Sequence, residues 1–587
     1  MKFKKLLALS VAFIMILAAC GQDGGGAATG DDTATAGGTQ QQAAPATPGG
    51  DAAGDREFYT FRMWYNYDWY SIRPWGGDSV TRHWGEMFNI YMEQGRPDAN
   101  PEEVMNLMIA ADDLPDVIWM DRGAQNVQMA RLGLFVPVND MIAMVDNDWY
   151  NENIMQSTQL FYQIDGVNYI IPNWARMGTV GVRGGATGGN EAWMVTTNVW
   201  EAVGSPEINT FDDLFNFAVA VRDADLTNAA GASIVPMLFD GMGNFGANFV
   251  NQAVYRSFGG PSTYGHWYGI QEDGTFGSNF RVPLWREAVM EANRWFRYDL
   301  IPVTNYTNTL EEFLANLNTG RGGLIFYDHS QDDGNSFRRI LREGDPGNSI
   351  ELVVVRDGTG AFLYPPAFGI PPSEIYHQVH NTLGWNGSFI TRSAEKPERI
   401  FEFLTWILTP LGSIEMMFGP AGYMWDELDA DGFPILHTPP GTLTAEQLSD
   451  IGAWQWALAG HANNVDNAKF AANSALPPEH RNWVETMQQT YFTPNMMLSD
   501  EMVAIGLTID PGTDLHIRRT LIHDTFEATF PQILMAPTRE EAERMFDELL
   551  AFAETNGLAE IEAVYNQKFQ ENASFQGGSV FRPPGSR

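Results

Sequence analysis

The chain has 587 residues and one cysteine, Cys20, so no part of it can be cross-linked by an internal disulfide. Whatever folds must hold on packing alone, which a long chain can do because a large domain buries most of its surface. The cysteine follows a short apolar segment. Lys2, Lys4 and Lys5 form a cationic start and Leu6 to Ala19 is almost purely apolar. That order reads as the n- and h-regions of a secretory signal over 1–19, and the run is short for a membrane span.

Residues 21 to about 55 are Gly, Ala, Thr, Gln, Asp and Pro, without aromatics or periodicity. Such a stretch buries too little to fold and reads as a flexible tether. The rest is well stocked for a core, with 44% hydrophobic and 12% aromatic residues. The formal net charge is -38, and beyond the leader the only lysines are Lys396, Lys469 and Lys568. This surface repels nucleic acid and anionic membranes, leaving no nucleic-acid partner. Leu17-Ala18-Ala19-Cys20 resembles the lipobox of bacterial lipoproteins. The resemblance implies lipidation of Cys20, with contact to the membrane through that anchor only; several acyl chains anchor where one would dissociate.

The body alternates strands and helices. Phe58, Thr60, Arg62 and Trp64 alternate with Tyr59, Phe61 and Met63, as in a strand. Val104, Leu107, Met108 and Ala111 have helical spacing, and Val117 to Met120 is a short buried strand. The pattern predicts an α/β body with a mainly parallel sheet. Thr210 with Asp213, and Thr538 with Glu541, read as capping-box helix starts, and Gly557 as a stop. Pro397 suits a first helical turn ahead of the stripe Ile400, Phe401, Leu404, Ile407 and Leu408.

Ordered segments of the body resemble family 1 extracellular solute-binding proteins of ABC importers, in the large oligosaccharide-binding, lipoprotein-A-like subgroup. "LMIAADDLPDVIWM", "LGLFVPVNDMI", "DGVNYIIPNW" and "WMVTTNVWEAVGSPEINTFDDLF" are similar to successive segments of that family. So are "NTGRGGLIF", the stretch 387–436 and the closing "TREEAERMFDELLAFAETNGLAEIEAVYNQKF". The resemblance runs from about 58 to 570. It implies the two-lobe, type II periplasmic-binding-protein-like α/β fold, with hinge crossover strands and an interlobe cleft. The expected division is 56–195 and 361–425 in the first lobe, 196–360 in the second, 426–572 in the second lobe with closing helices, and 573–587 as tail. It also implies ABC permease subunits as partners, a monomer, and a place on the outer face of the cytoplasmic membrane. An anchored carbohydrate-active enzyme, or a ligand-presenting adhesin or sensor subunit, stays open as an alternative.

The ligand expectation is an oligosaccharide, because flat aromatics stack on sugar rings while Asp, Asn and Arg bond their hydroxyls. "RMWYNYDWYSIRPWGG" concentrates Trp64, Tyr67, Asp68, Trp69 and Trp75 after the first strand. Other candidates stand at strand ends, where open α/β sheets bind ligands. They are Trp119 and Asp121; Trp174 and Arg176; Trp267; Tyr327 and Asp328; and Trp385 and Asn386. "GMGNFG" at 241–246 lacks the downstream acid of a dinucleotide site. Asp223, Asp225 and Asn228 offer oxygens where some relatives carry a calcium loop, but not in step with the usual ligand set. Asp429 to Gly432 read as a hairpin turn. No H-E-x-x-H or G-x-S-x-G motif occurs, and no catalytic residue or cofactor is expected, with calcium at Asp223, Asp225 and Asn228 the one metal left open.

Overall fold

A computed structural model describes residues 56–575, apart from 176–191, 240–245, 328–337, 354–377, 488–495 and 503–508 and brief interruptions at 69, 146, 155, 259, 261–262, 265–266, 272, 307–309, 339–340, 381–382, 440–442, 444, 453–454, 499–501 and 511. The leader, Cys20, the tether and the last twelve residues lie outside the described residues. Among the described residues the two largest sheets, of five and four strands, each stand against their own core, with smaller sheets beside them.

The first sheet has the order Ile90–Gly95, Tyr59–Tyr65, Val117–Asp121, Leu383–Ile390, Ile170–Ala175. Tyr59–Tyr65 is parallel to its two neighbours. Leu383–Ile390 returns from far along the chain and runs antiparallel between Val117–Asp121 and Ile170–Ala175. The second sheet has the order Ile350–Val353, Ala192–Thr196, Gly322–Tyr327, Val235–Phe239. Here only Gly322–Tyr327 and Val235–Phe239 pair in parallel. The expectation of a mainly parallel sheet is therefore corrected to two mixed sheets. A strand that enters each sheet from the other end of the lobe must pair antiparallel, and periodicity does not record direction.

Both faces of the second sheet are covered, and the period-two alternation shows it. Trp193, Val195, Met237, Phe239, Leu324 and Phe326 enter one core, while Met194, Leu238 and Ile325 enter another on the opposite face. The larger core also takes Phe526 and Phe530 from Asp514–Leu534, Phe546 from Arg539–Thr555, and Tyr565 and Phe569 from Leu558–Phe575. That last helix runs past residue 573, where the sequence reads as tail.

Local signals hold where they rest on caps. Thr210 accepts from Asp213 N and Asp213 answers it, closing a capping box. Thr538 accepts from Glu541 N. Pro397 opens Pro397–Leu408, whose apolar stripe is buried in the first core. The hairpin Trp425–Leu428 to Pro434–Leu436 turns where expected, with Asp429 Oδ1 accepting from Asp431 N and Phe433 N.

Lobe membership differs from expectation at two places. Ala192–Thr196 already belongs to the second sheet. Trp425, Ile451, Trp456, Val465, Ala468 and Ala472 all join the first core, so the return to the second lobe comes well after 425. The backbone explains this: Ala175 N donates to Gly460 O at 3.1 Å and Gly460 N to Pro172 O at 3.1 Å, tying this segment to the free edge of the first sheet.

Candidate functional site

Three strands of the first sheet, Tyr59–Tyr65, Val117–Asp121 and Ile170–Ala175, point their carboxyl ends the same way, and the antiparallel Leu383–Ile390 begins there. On the second sheet, Tyr327 pairs with Ala192, Phe326 with Phe239, and Val353 with Trp193, so the chain leaves or enters at 192, 239, 327 and 353 along one edge. The crossings 175 to 192 and 353 to 383 join these two edges. Strand ends in open α/β sheets are where ligands gather.

The first edge is built around a bulge. Leu383 pairs with Ala175 and Asn386 with Asn173, so Gly384 and Trp385 together stand opposite Trp174. Gly384 has φ +69°, and a Cβ there would lie 1.8 Å from the Asn173 carbonyl oxygen, so only glycine fits. Trp174 has φ 60°, a left-handed conformation rarely held by a bulky residue. Bulges and such backbone strain recur where a side chain is re-aimed for function. Two half-buried tryptophans, Trp174 and Trp385, thus sit opposite each other at the edge.

A hydrogen-bonded row crosses the same edge. Asn173 Nδ2 donates to Asn386 Oδ1 at 3.1 Å, and Asn386 Nδ2 donates to the Tyr67 hydroxyl at 3.0 Å. Tyr67 then donates to Asp121 Oδ1 at 2.7 Å. Asn173 and Asn386 are fully buried, whereas Asp121 is exposed. Protein nonetheless crowds Asp121, and burial pushes its carboxyl above the usual range, opposed by the Tyr67 bond and the nearby Arg122 charge. A group both crowded and open to solvent lies in a concave wall.

Aromatic rings pack around the row. Trp119 meets Tyr67 edge-on at 5.1 Å and Trp385 at 5.0 Å, and Tyr67 lies 5.7 Å from Trp385. Tyr70 stacks on Tyr65 at 4.2 Å behind them. Trp119 Nε1 and Asn173 Oδ1 are buried with no hydrogen-bond partner among the described residues. Such groups normally find a partner.

Six sequence candidates therefore converge: Asp121, Trp174 and Trp385 reach the surface, while Tyr67, Trp119 and Asn386 are buried directly behind them. Trp64 is half-buried on the first strand, its indole donating to Asn66 Oδ1 at 3.3 Å and its ring lying against Gly95. Asp68 is exposed in a turn whose carbonyl accepts from Arg96. Two candidates are corrected. Trp75 is buried in the first core, edge-on to Phe403 and Trp456, each at 5.7 Å. Trp267 is buried in the second core against Phe526 and Phe530, at 5.3 and 5.1 Å. Neither ring offers a face to a ligand. Tyr327 ends its strand at the second lobe's edge. Trp69, Arg176 and Asp328 lie outside the described residues, as do positions 241–245 of the glycine-rich segment.

Asp223 pairs with Arg222, and Asn228 Oδ1 accepts from Ala230 N and Ala232 N, so these two side chains serve the turn itself, while Asp225 caps its helix through its backbone N–H. Among the described residues no group of three or more His, Cys, Asp or Glu is placed to hold a metal. Sequence reasoning missed Asn173, Gly384 and Arg122. Asn173 adjoined a chosen tryptophan in "YIIPNW"; Gly384 carried no signal, since its need arises only from the strand opposite.

No family model matches the chain, and no curated protein matches it. Solved structures do. The alginate-binding protein AlgQ2, without calcium, superposes with a TM-score of 0.62 at 16% identity, covering 87% of this chain and 98% of that one. The S. pneumoniae ABC-transporter substrate-binding protein FusA, in complex with kestose, gives 0.60 at 15% identity, covering 88% and 99%. The N-glycan transport solute-binding protein NgtS of Streptococcus pneumoniae gives 0.56 at 11% identity, covering 88% and 99%. The chain has the two-lobe solute-binding-protein fold.

Proposed function

We propose that the chain is the substrate-binding component of an ABC importer, anchored through Cys20 on the outer face of the cytoplasmic membrane, which captures an oligosaccharide between its lobes and delivers it to a permease. The observation that carries this reading is the convergence of Trp174, Trp385, Tyr67, Asn386 and Asp121 at the strand ends of a two-lobe fold. Half-buried indoles suit the apolar faces of sugar rings, and a carboxylate oriented by a tyrosine suits their hydroxyls. The neighbours in shape support the ligand class: one binds alginate, one holds kestose and one serves N-glycan transport.

Function then needs no bond-making. A ligand that touches both lobes favours their closed arrangement by its differential affinity, and the closed form docks on the permease. The tether keeps a monomeric body near its partner and raises the local concentration. The hydrogen-bonded row holds one carboxylate, not the opposed pair that glycoside hydrolysis uses.

The test is thermal unfolding against an oligosaccharide panel, with chromatography of the incubated sugars. A ligand at a hundred times its Kd stabilises by about 2.7 kcal/mol. A clear shift with the sugar recovered intact is expected. No shift with any sugar, or shortened sugars, overturns the proposal.

A further inference from the structure

We infer that the strand-end row selects uncharged oligosaccharides and rejects uronates, the sugars that carry a carboxylate at C6. This deepens the binding function proposed above and rests on it.

The row is directional. Each amide donates to its neighbour, and the Tyr67 hydroxyl spends its proton on Asp121. What the row presents outward is therefore a carboxylate, an acceptor without a donor of its own. A sugar hydroxyl can donate to it; a uronate carboxylate brought to the same distance meets a like charge.

Among the described residues, the cations around the edge are committed elsewhere. Arg122 is the charge that acts on Asp121, but it is buried. Its guanidinium donates to the carbonyls of Leu383 and Gly384, bracing the bulge, and lies 5.7 Å from the Tyr162 ring centroid. Arg73 donates to the Ser449 carbonyl and hydroxyl, and Arg96 to the Asp68 carbonyl. Arginine that recognises a carboxylate does so with a free planar fork; Arg122 and Arg73 have both terminal nitrogens engaged, and Arg96 has one turned to the backbone. The whole-chain field acts in the same direction, with 73 acidic against 35 basic residues. An anionic ligand is disfavoured at long range before it meets Asp121. Resemblance of shape to an alginate-binding protein therefore does not carry alginate's charge with it.

The experiment uses sugar pairs that differ only at C6: tetramers of glucose, mannose and galactose beside those of glucuronate, mannuronate and galacturonate. Binding is read by calorimetry on the wild type and on Asp121→Asn and Tyr67→Phe. For a pair whose neutral member binds, the uronate is expected to bind at least about tenfold more weakly. Asp121→Asn shrinks that gap to a few-fold, and Tyr67→Phe weakens the neutral sugar about tenfold without opening the site to uronates. As a check that needs no variant, raising the salt narrows the wild-type gap. A uronate that binds as tightly as its neutral partner overturns this inference and leaves oligosaccharide capture standing. Silence from these six and from every sugar of the panel overturns both.

Discussion

The two lobes hold aromatic clusters of similar density and opposite character. In the second lobe Trp267, Phe280, Trp285, Phe526, Phe530 and Phe546 pack ring on ring, with Phe280 stacked on Phe526 at 4.4 Å. Their polar handles close inward: Trp285 Nε1 donates to Asn251 at 2.7 Å, and the Tyr268 hydroxyl meets His523 at 3.2 Å. In the first lobe the rings of Tyr67, Trp119 and Trp385 sit at strand ends, and their hydrogen bonds lead outward to exposed Asp121. Aromatic content alone therefore does not mark a sugar site. What separates a binding wall from a core is where the polar ends of the cluster terminate.

The sharpest way to break that contrast is to remove one ring from each kind of cluster. Trp267→Ala opens a cavity in the second core and is expected to destabilise by about 3–5 kcal/mol in chemical denaturation. The fraction that stays folded should keep its ligand affinity. Weakened binding by folded Trp267→Ala protein would show that the core cluster reaches the ligand after all.

Acid should act next most strongly, and on the first lobe. His461 is buried at the start of Ala462–Ala475, its Nδ1 accepting from Asn464 N at 3.4 Å, and burial pushes its imidazole down to about 3. Because the folded value lies below the unfolded one, the neutral ring's contribution is complete above the unfolded pKa of 6.5 and is lost as pH falls through that value toward 3. The loss reaches about 3 kcal/mol at pH 4. His461→Asn keeps a helix-capping side chain and removes the titration. The difference in stability between parent and variant, measured from pH 7.5 down to 4, should follow that slope; a flat difference would sink the assignment.

Much of this edge was legible because strand-end position is a property of local sequence. Trp119 and Asp121 close a run of four buried residues, and Trp385 and Asn386 precede another apolar strand. Those patterns place residues at an edge without knowing which sheet they join. Partner identity was not legible. Nothing in "LGWNGSFI" says that it inserts antiparallel between strands that end at 121 and 175. Trp267 and Trp174 look alike in sequence, both beside glycine, tyrosine or asparagine. The difference is that Phe526 and Phe530, some 260 residues later, cover only Trp267. The second lobe's return was misplaced for the same reason, since an apolar segment carries no label for its core.

Gly384 tests whether the bulge, and not merely the rings, makes the wall. Gly384→Ala forces a Cβ into the Asn173 carbonyl at a left-handed φ, and the expected loss is about 2–3 kcal/mol. Unlike Trp267→Ala, it should also weaken binding in the folded protein, because Trp385 and Asn386 follow directly on the same bulge. A variant that loses stability alone would make the bulge a packing device.

The smallest expected effect lies between the lobes. Arg131, at the end of Ala124–Arg131 in the first lobe, reaches Asp510 at 2.9 Å, just ahead of Asp514–Leu534 in the second, and also Asp165 at 3.0 Å. All three side chains are well exposed, 45% for Arg131, 61% for Asp510 and 64% for Asp165. Exposed pairs contribute little and fade with salt, so Arg131→Ala should change stability by about 0.5 kcal/mol or less, and Asp510→Ala by no more. Ligand affinity should stay within a factor of about two, because a pair this weak biases the opening of the lobes only slightly. A tenfold change in affinity from either variant, absent in Asp165→Ala, would mean that this contact sets the balance between open and closed lobes. The first lobe's wall would then share control of binding with a surface far from its aromatic rings.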